Sequence, residues 1–167
     1  MKAVMRSRVW RIVPALALFV LPLAGCRTSG LLFSSDEHFR VLAPQAGTAS
    51  SLPMTVRWRA PDLASGDSFA VFVDRAPMRP GATLRSVMDK ACKRTAGCPD
   101  ESVLEENNIY VTKQMSVQIA SLVRGGIADH GSGKEIHSLR VVEVDAQGRR
   151  VGEGFASVQF VVKRSQA

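Results

Sequence analysis

The sequence predicts an all-β fold, a β-sandwich of about seven strands, and three of its patterns favour that fold class. Apolar and polar residues alternate in "MTVRWRA" (54–60), which is typical of a strand with one buried face. Comparable short runs recur between turn residues over residues 38–165. The same region lacks the sustained apolar periodicity of a long helix.

The predicted strands are short and separated by turns. Pro53 and Pro61 flank the alternating strand, where the missing N–H of proline is harmless. The nearly continuous apolar run "SFAVFVD" (68–74) predicts a central strand. In the turn "DAQGRRVGEG", Gly148 is expected to take the positive φ of a hairpin between the last two strands. The remaining predicted strands are "FRVLAP", "IYVT" (109–112), "QMSVQIASL" (114–122), "EIHSLRVVEVD" and "FASVQFVVK".

Three of these segments resemble a known family of β-domains. The run "LPMTVRWRAPDL" followed by "FAVFVD" resembles strands B and C of fibronectin type III and related bacterial Ig-like modules, with Trp58 as the buried strand-B tryptophan. The segment "HSLRVVEVDAQG" is similar to their strand F, where His137 replaces a tyrosine and Glu143 a small residue. The resemblance covers residues 53–162 and implies an Ig-like or fibronectin-III-like sandwich. Because such folds serve as scaffolds for many functions, it implies a binding or spacing role only in general terms.

The N-terminal region has the pattern of an export signal. Basic residues in positions 1–11 precede the apolar run "IVPALALFVLPL" (12–23), which is shorter than the ~20 residues that a membrane-spanning helix needs. The run ends in "LAGC" (23–26), which resembles the lipobox of bacterial lipoproteins. The alternatives are an ordinary signal peptide with a chance cysteine and an uncleaved signal anchor.

The lipobox resemblance implies how the protein is processed and where it resides. Cleavage is expected between Gly25 and Cys26, with diacylglycerol on the Cys26 sulfur, so that residues 1–25 are the signal peptide. Residues 26–37 are then a tether, and residues 38–165 form the folded domain. The expected location is the extracytoplasmic face of the cell membrane, with the membrane itself as a partner through the lipid. Because residue 27 is not aspartate, transfer to the outer membrane is open in a bacterium with two membranes.

The charge distribution argues against nucleic acid as a partner. The net charge is +7, from 22 basic and 15 acidic residues. Four of the basic residues lie in the first eleven positions, so removal of residues 1–25 leaves 18 basic against 15 acidic residues, or +3. A mild charge of this size is not the footprint of a phosphate-binding surface.

An insertion over residues 78–108 separates two predicted strands. Its segment "TLRSVMDKACKR" has the spacing of one short helix, and Asp100 is placed to cap a second helical turn in "PDESVLEENN". Cys92 and Cys98 are expected to form a disulfide in an exported protein; the alternative is a metal or redox pair. Loops on a rigid sandwich often carry recognition, so the insertion and the turn before it supply the candidate binding surface. That surface comprises Arg75, Met78, Arg79, Arg85, Lys93 and Arg94, with Met78 exposed; the alternative is a stiff turn.

No motif for catalysis or cofactor binding emerges from the sequence. "HGSGKE" (130–135) has neither the first glycine nor the final Ser or Thr of a phosphate-binding loop, and no Gly-x-Ser-x-Gly motif occurs. A copper site built from His38, His130, His137 and methionines is the alternative considered. Against it, Met54 and Met115 are expected to face the core, and His137 to be a buried corner residue that donates to the backbone.

These observations predict a lipid-anchored extracytoplasmic Ig-like module that binds a protein or cell-envelope ligand, without catalysis, metal or cofactor. The alternative is an extracytoplasmic copper-handling protein, and a third possibility is an enzyme of an unrecognised type.

Overall fold

The computed structural model describes residues 39–123, 126–129 and 134–163, and this part of the chain is mostly β. The predicted signal peptide (1–25), the tether (26–37) and Cys26 lie outside the described residues. The strands are β1 (Arg40–Ala43), β2 (Ala49–Ser50), β3 (Met54–Arg59), β4 (Ser68–Val73), β5 (Ile109–Thr112), β6 (Ser116–Ile119), β7 (Ile127–Asp129), β8 (Lys134–Val144) and β9 (Ala156–Lys163). The helices are a 3-10 turn (Leu84–Val87), α1 (Lys90–Arg94) and α2 (Glu101–Glu106).

The strands form two sheets. The smaller sheet has the order β1-β3-β6, and the larger has the order β2-β9-β8-β4-β5, with β7 paired to the start of β8. The larger sheet is curled like half of a barrel. All pairings are antiparallel except that of β2, which runs parallel to β9, so the chain changes sheets between β1 and β2. The mostly β fold predicted from the sequence is confirmed.

A core of residues from both sheets lies on the inner face of the larger sheet. The alternation predicted for β3 is confirmed, because Met54, Val56 and Trp58 are buried while the residues between them are exposed. Phe69 of β4 meets the Trp58 ring edge to face, with 5.4 Å between the ring centroids. Burial of these rings and of the β-branched residues around them is the main stabilising contribution to this inner core.

A second core lies on the outer face of the same sheet, and the insertion forms it. Ala70 and Phe72 point outwards from β4 but are completely buried. This explains why the sequence of β4 is a nearly continuous apolar run: both of its faces are covered. The side chains that the insertion contributes are those of Met78, Leu84, Met88, Cys92 and Leu104.

The insertion is built differently from the sequence prediction in one respect. The single helix expected in "TLRSVMDKACKR" is wrong, since the chain is extended at Met88 between the 3-10 turn and α1. Asp89 breaks the helix because its carboxylate accepts a hydrogen bond from the Cys92 N–H at 2.8 Å and so caps α1. The cap predicted at Asp100 is confirmed, with a 2.9 Å bond from the Val103 N–H. The disulfide between Cys92 and Cys98 is also confirmed.

The turn between β8 and β9 fastens the start of the insertion. Gly148 has φ +68°, as predicted for this hairpin, and its carbonyl accepts from the Leu84 N–H at 2.9 Å. Arg150 is 2% exposed, and its guanidinium donates to the carbonyls of Met78 at 2.9 Å and Glu153 at 2.8 Å. Burial lowers the pKa of Arg150, and the nearby Glu153 opposes that shift. The insertion is therefore held at its first residues by a segment that follows it far along the chain.

Candidate functional site

The candidate binding surface is smaller in the structure than the sequence predicted. Met78 is 2% exposed, so its assignment as an exposed contact residue is wrong. Its flexible side chain fills the outer core beneath the insertion, a common use of methionine at irregular gaps.

Two of the predicted surface arginines stabilise the insertion. Arg75 donates to the Asn107 side-chain oxygen at 2.5 Å and to the Val87 carbonyl at 3.2 Å, which joins both ends of the insertion. Arg85 donates to the carbonyls that end α1, at 2.8 Å to Lys93 and 2.7 Å to Thr95. Both guanidinium groups thus satisfy carbonyls that would otherwise lack a partner.

The other three members of the predicted surface are exposed. Arg79 precedes the 3-10 turn, while Lys93 and Arg94 lie on α1 beside the equally exposed Lys90. The neighbouring α2 is acidic. The exposed basic part of the predicted binding surface is therefore confined to α1 and Arg79, and ligand binding there stays a prediction.

A cluster of titratable side chains lies where β4 ends and β8 begins. Asp74 has φ +55°, a left-handed conformation that aspartate tolerates better than most residues. One carboxylate oxygen of Asp74 accepts from the Ser138 N–H at 2.8 Å, and the other lies 2.6 Å from Nδ1 of His137. The Nε2 atom of His137 faces the Glu135 carboxylate at 3.5 Å.

This cluster is closed to solvent on the His137 side. The imidazole is 1% exposed and stacks on the Phe160 ring, with 5.6 Å between the centroids. Gly126 covers the ring so closely that a Cβ at that position would lie 2.6 Å from Cε1. A substrate cannot reach an imidazole sealed in this way, so the pair joins β4 to β8. His137 is buried as predicted, but its predicted backbone partner is wrong, because the partner is the carboxylate of Asp74.

The residues considered for copper are dispersed in the structure. Within residues 39–123, 126–129 and 134–163, no three His, Cys, Asp or Glu side chains converge on a position that could hold a metal. Met54 lies in the core as expected, whereas Met115 is 38% exposed because it stands in the turn before β6. His38 and His130 lie outside the described residues, as does most of "HGSGKE". None of the helices described is long and apolar enough to cross a membrane.

The sequence did not predict a groove of about 650 Å³ on the outer face of the β8–β9 hairpin. Four outward-facing side chains form its floor as two cross-strand pairs, Arg140 with Ser157 and Ser138 with Gln159. Ala46 borders it beyond β9, and Pro77 borders it beyond β8. The insertion covers the neighbouring part of this face, around Phe72 and Val142, and the groove lies open beside it.

Comparison with known proteins gives no match: no family model, curated protein or solved structure matches the chain. Besides the sealed cluster at His137 and the basic side of α1, a second cavity of about 820 Å³ lies beside α2, β5 and β6. The groove has the more apolar lining of the two cavities and is therefore the better suited to hold a ligand.

Proposed function

We propose that this protein is a lipid-anchored, extracytoplasmic binding module of the Ig-like class, with a protein or cell-envelope ligand and no catalytic role. The resemblance of "LAGC" to the lipobox, at the end of a short apolar run, supports the anchor on Cys26. Two acyl chains hold a protein stably on a membrane, because each buried CH₂ contributes ~0.8 kcal/mol.

The strand order supports the Ig-like class. Strands A, B and E of an Ig-like sandwich share one sheet, and strands C, F and G share the other. The order β1-β3-β6 in one sheet and β9-β8-β4 in the other fits that arrangement when strands are matched in chain order. Trp58 is buried on β3, the position of strand B in this match.

The open groove beside the insertion is the observation that carries the binding role. Binding sites are typically concave and combine apolar walls with a few polar groups, which is the character of this groove. The one histidine–carboxylate cluster described is sealed, which supports a role without catalysis.

The anchor is tested by replacing its cysteine. We expect Cys26→Ala to abolish both palmitate labelling and removal of the signal peptide, because the thioether can form only at that sulfur. The matched control is Cys92→Ala/Cys98→Ala, which removes the other two cysteines and should leave labelling intact. Palmitate labelling of the C26A protein would contradict the anchor.

The binding role is tested by site-specific photocrosslinking in intact membranes. Deletion of residues 78–108 is unsuitable because it would expose Phe72 and the rest of the outer core. A photoreactive residue is placed instead at Gln159 in the groove, at Lys93 on α1, or at Arg57 on the exposed side of the smaller sheet. We expect a discrete adduct from one of the first two positions and none from Arg57. Equal adducts from all three positions, or no adduct from any, would contradict a specific binding role.

A further inference from the structure

The groove holds an arginine with almost no internal partner. Within the described residues, Arg140 makes one hydrogen bond, a long one of 3.4 Å to the Arg75 carbonyl, and no ion pair. A guanidinium has five N–H donors in a planar fork that matches a carboxylate. Most of these donors are therefore available to a ligand, in a half-buried position where hydrogen bonds to a charged group are stronger than at a flat surface.

The outer face continues from the groove into an exposed apolar row. Ile136 lies four residues before Arg140 on β8 and faces the same side, and it pairs with Ile127 of β7 on one side and Val161 of β9 on the other. Directly opposed residues share a face of the sheet, so these three side chains form one row. Ile127 is 75% exposed and Ile136 is 41% exposed. Adjacent exposed isoleucines are uncommon on a surface without a partner.

The row beyond the isoleucines carries a net positive charge. Lys134 pairs in register with Lys163 of β9 and with Asp129 of β7, which gives two lysines and one aspartate. The outward-facing positions of β8 and β9 from Arg140 to Lys163 include no acidic residue. Along these two strands the face thus presents a cation, then hydroxyl and amide groups, then an apolar row, then two lysines. From Arg140 to Ile136 the distance along the strand is about 13 Å, at ~3.3 Å per residue.

We propose that this face binds an extended acidic segment of a partner protein, with one carboxylate on Arg140, an apolar side chain on Ile127 and Ile136, and a second acidic residue near Lys134. Ser138 and Gln159 lie between Arg140 and the isoleucines, and Ser157 lies opposite Arg140; all three supply hydrogen bonds to the backbone of the segment. The complementary charge identifies the ligand as acidic, and the fixed spacing along two strands identifies it as extended.

A peptide fits this face better than a lipid surface does. Ala46 and Pro77 border the groove on opposite sides of Arg140, and a concave site of this kind suits a narrow chain better than a flat bilayer. This inference deepens the proposed function and rests on it for the premise that the domain is a binding module. If photocrosslinking gives an adduct but the peptides below do not bind, the binding role stands and only this ligand class is lost.

The test measures peptide binding by the full-length protein purified in detergent. The probes are serine heptapeptides with glutamate at both ends and one leucine moved along the middle, together with the same set carrying lysine in place of glutamate. We expect the glutamate set to bind more tightly than the lysine set. Within it, binding should be tightest when the leucine is nearer one end of the peptide, because Ile136 is closer to Lys134 than it is to Arg140. Arg140→Gln should weaken that binding about tenfold or more, because it removes charge-assisted hydrogen bonds.

Matched variants separate recognition from general damage. Arg57→Gln removes an exposed arginine from the other sheet and should leave binding unchanged. Ile136→Thr should abolish the dependence on leucine position, whereas Val111→Thr, at the same 41% exposure on β5, should not. The proposal is overturned if the lysine peptides bind as well as the glutamate peptides, or if R57Q weakens binding as much as R140Q. It is also overturned if anionic vesicles, and not the peptides, bind in an Arg140-dependent manner.

Discussion

The two faces of β4 are buried by different kinds of structure. On the inner face, Phe69 packs against the aromatic rings of Phe39 and Trp58, with contributions from both sheets. On the outer face, Phe72 packs against the insertion, whose contribution includes two methionines and a cystine. The first core consists mainly of aromatic rings and β-branched side chains. In the second, the insertion covers the sheet with methionine, leucine and cysteine side chains.

This difference indicates which parts of the domain can change without loss of the fold. Aromatic and β-branched residues occupy few rotamers and leave a cavity when one is truncated. Methionine adopts many conformations and fills irregular gaps. The outer core should therefore tolerate substitution better than the inner core, although its residues are equally buried.

The largest expected effect comes from truncating one phenylalanine in each core. We expect Phe69→Ala to lower the free energy of unfolding by about 3–5 kcal/mol, since the rings around it cannot close the cavity. The loss of unfolding free energy for Phe72→Ala should be at or below the lower end of that range, because Met78 and Met88 can move into the space. Urea unfolding followed by tryptophan fluorescence measures both. The exposed Val111→Ala is the control, and an equal or larger loss for F72A would contradict the contrast between the cores.

A smaller effect is expected from removing the covalent link in the outer core. Cys92 and Cys98 are six positions apart, and closing a loop of that size contributes about 2 kcal/mol by the chain-entropy model. We expect C92A/C98A to lose about that amount and to be cleaved by protease first within α1. Limited proteolysis followed by mass spectrometry locates the cleavage. Initial cleavage within the smaller sheet would show that the insertion is not the weaker part.

The smallest expected effect is on the pH dependence of stability, through Glu143 at the end of the inner face of β8. Glu143 pairs in register with Phe69, and burial raises its pKa, helped by a hydrogen bond and charge repulsion from Asp67. A carboxyl whose pKa is raised by folding stabilises the protein below its ordinary pKa of 4.5, and that contribution is lost as the pH rises through the raised value. We expect Glu143→Gln to remove this loss, and therefore to gain stability relative to the native protein towards neutral pH.

Urea unfolding from pH 4 to neutrality, a range chosen around ordinary carboxyl pKa values, measures this dependence. The exposed Glu106→Gln on α2 is the control and should follow the native protein. If the unfolding free energies of E143Q and the native protein change in parallel with pH, Glu143 makes no contribution to the pH dependence.

Local patterns predicted the strands well because the order of apolar and polar residues within each segment indicates which face is buried. The alternation in β3 and the glycine in the β8–β9 turn depend on neighbouring residues alone, and both are confirmed. The break at Asp89 could not be predicted from spacing, because a helical period and a capping residue compete there.

Contacts between distant residues account for what the sequence could not predict. Asp74 and His137 are 63 positions apart, and only the pairing of β4 with β8 brings them together. Met78 resembles a surface residue because prolines and arginines surround it, yet the sheet it covers lies elsewhere in the chain. The groove requires the register of β8 with β9, which fixes Arg140 opposite Ser157.

The buried Arg150 has a consequence for how the chain reaches its native state. Its guanidinium donates to the Met78 carbonyl across a separation of 72 residues, the longest of any side-chain hydrogen bond in the part of the chain that the structure describes. The insertion emerges first during synthesis, but its starting segment cannot be held in this way until the β8–β9 hairpin is present. Because closing a contact over so many residues carries an entropic cost, we expect the amides at the start of the insertion to become protected from hydrogen exchange no earlier than those of the hairpin.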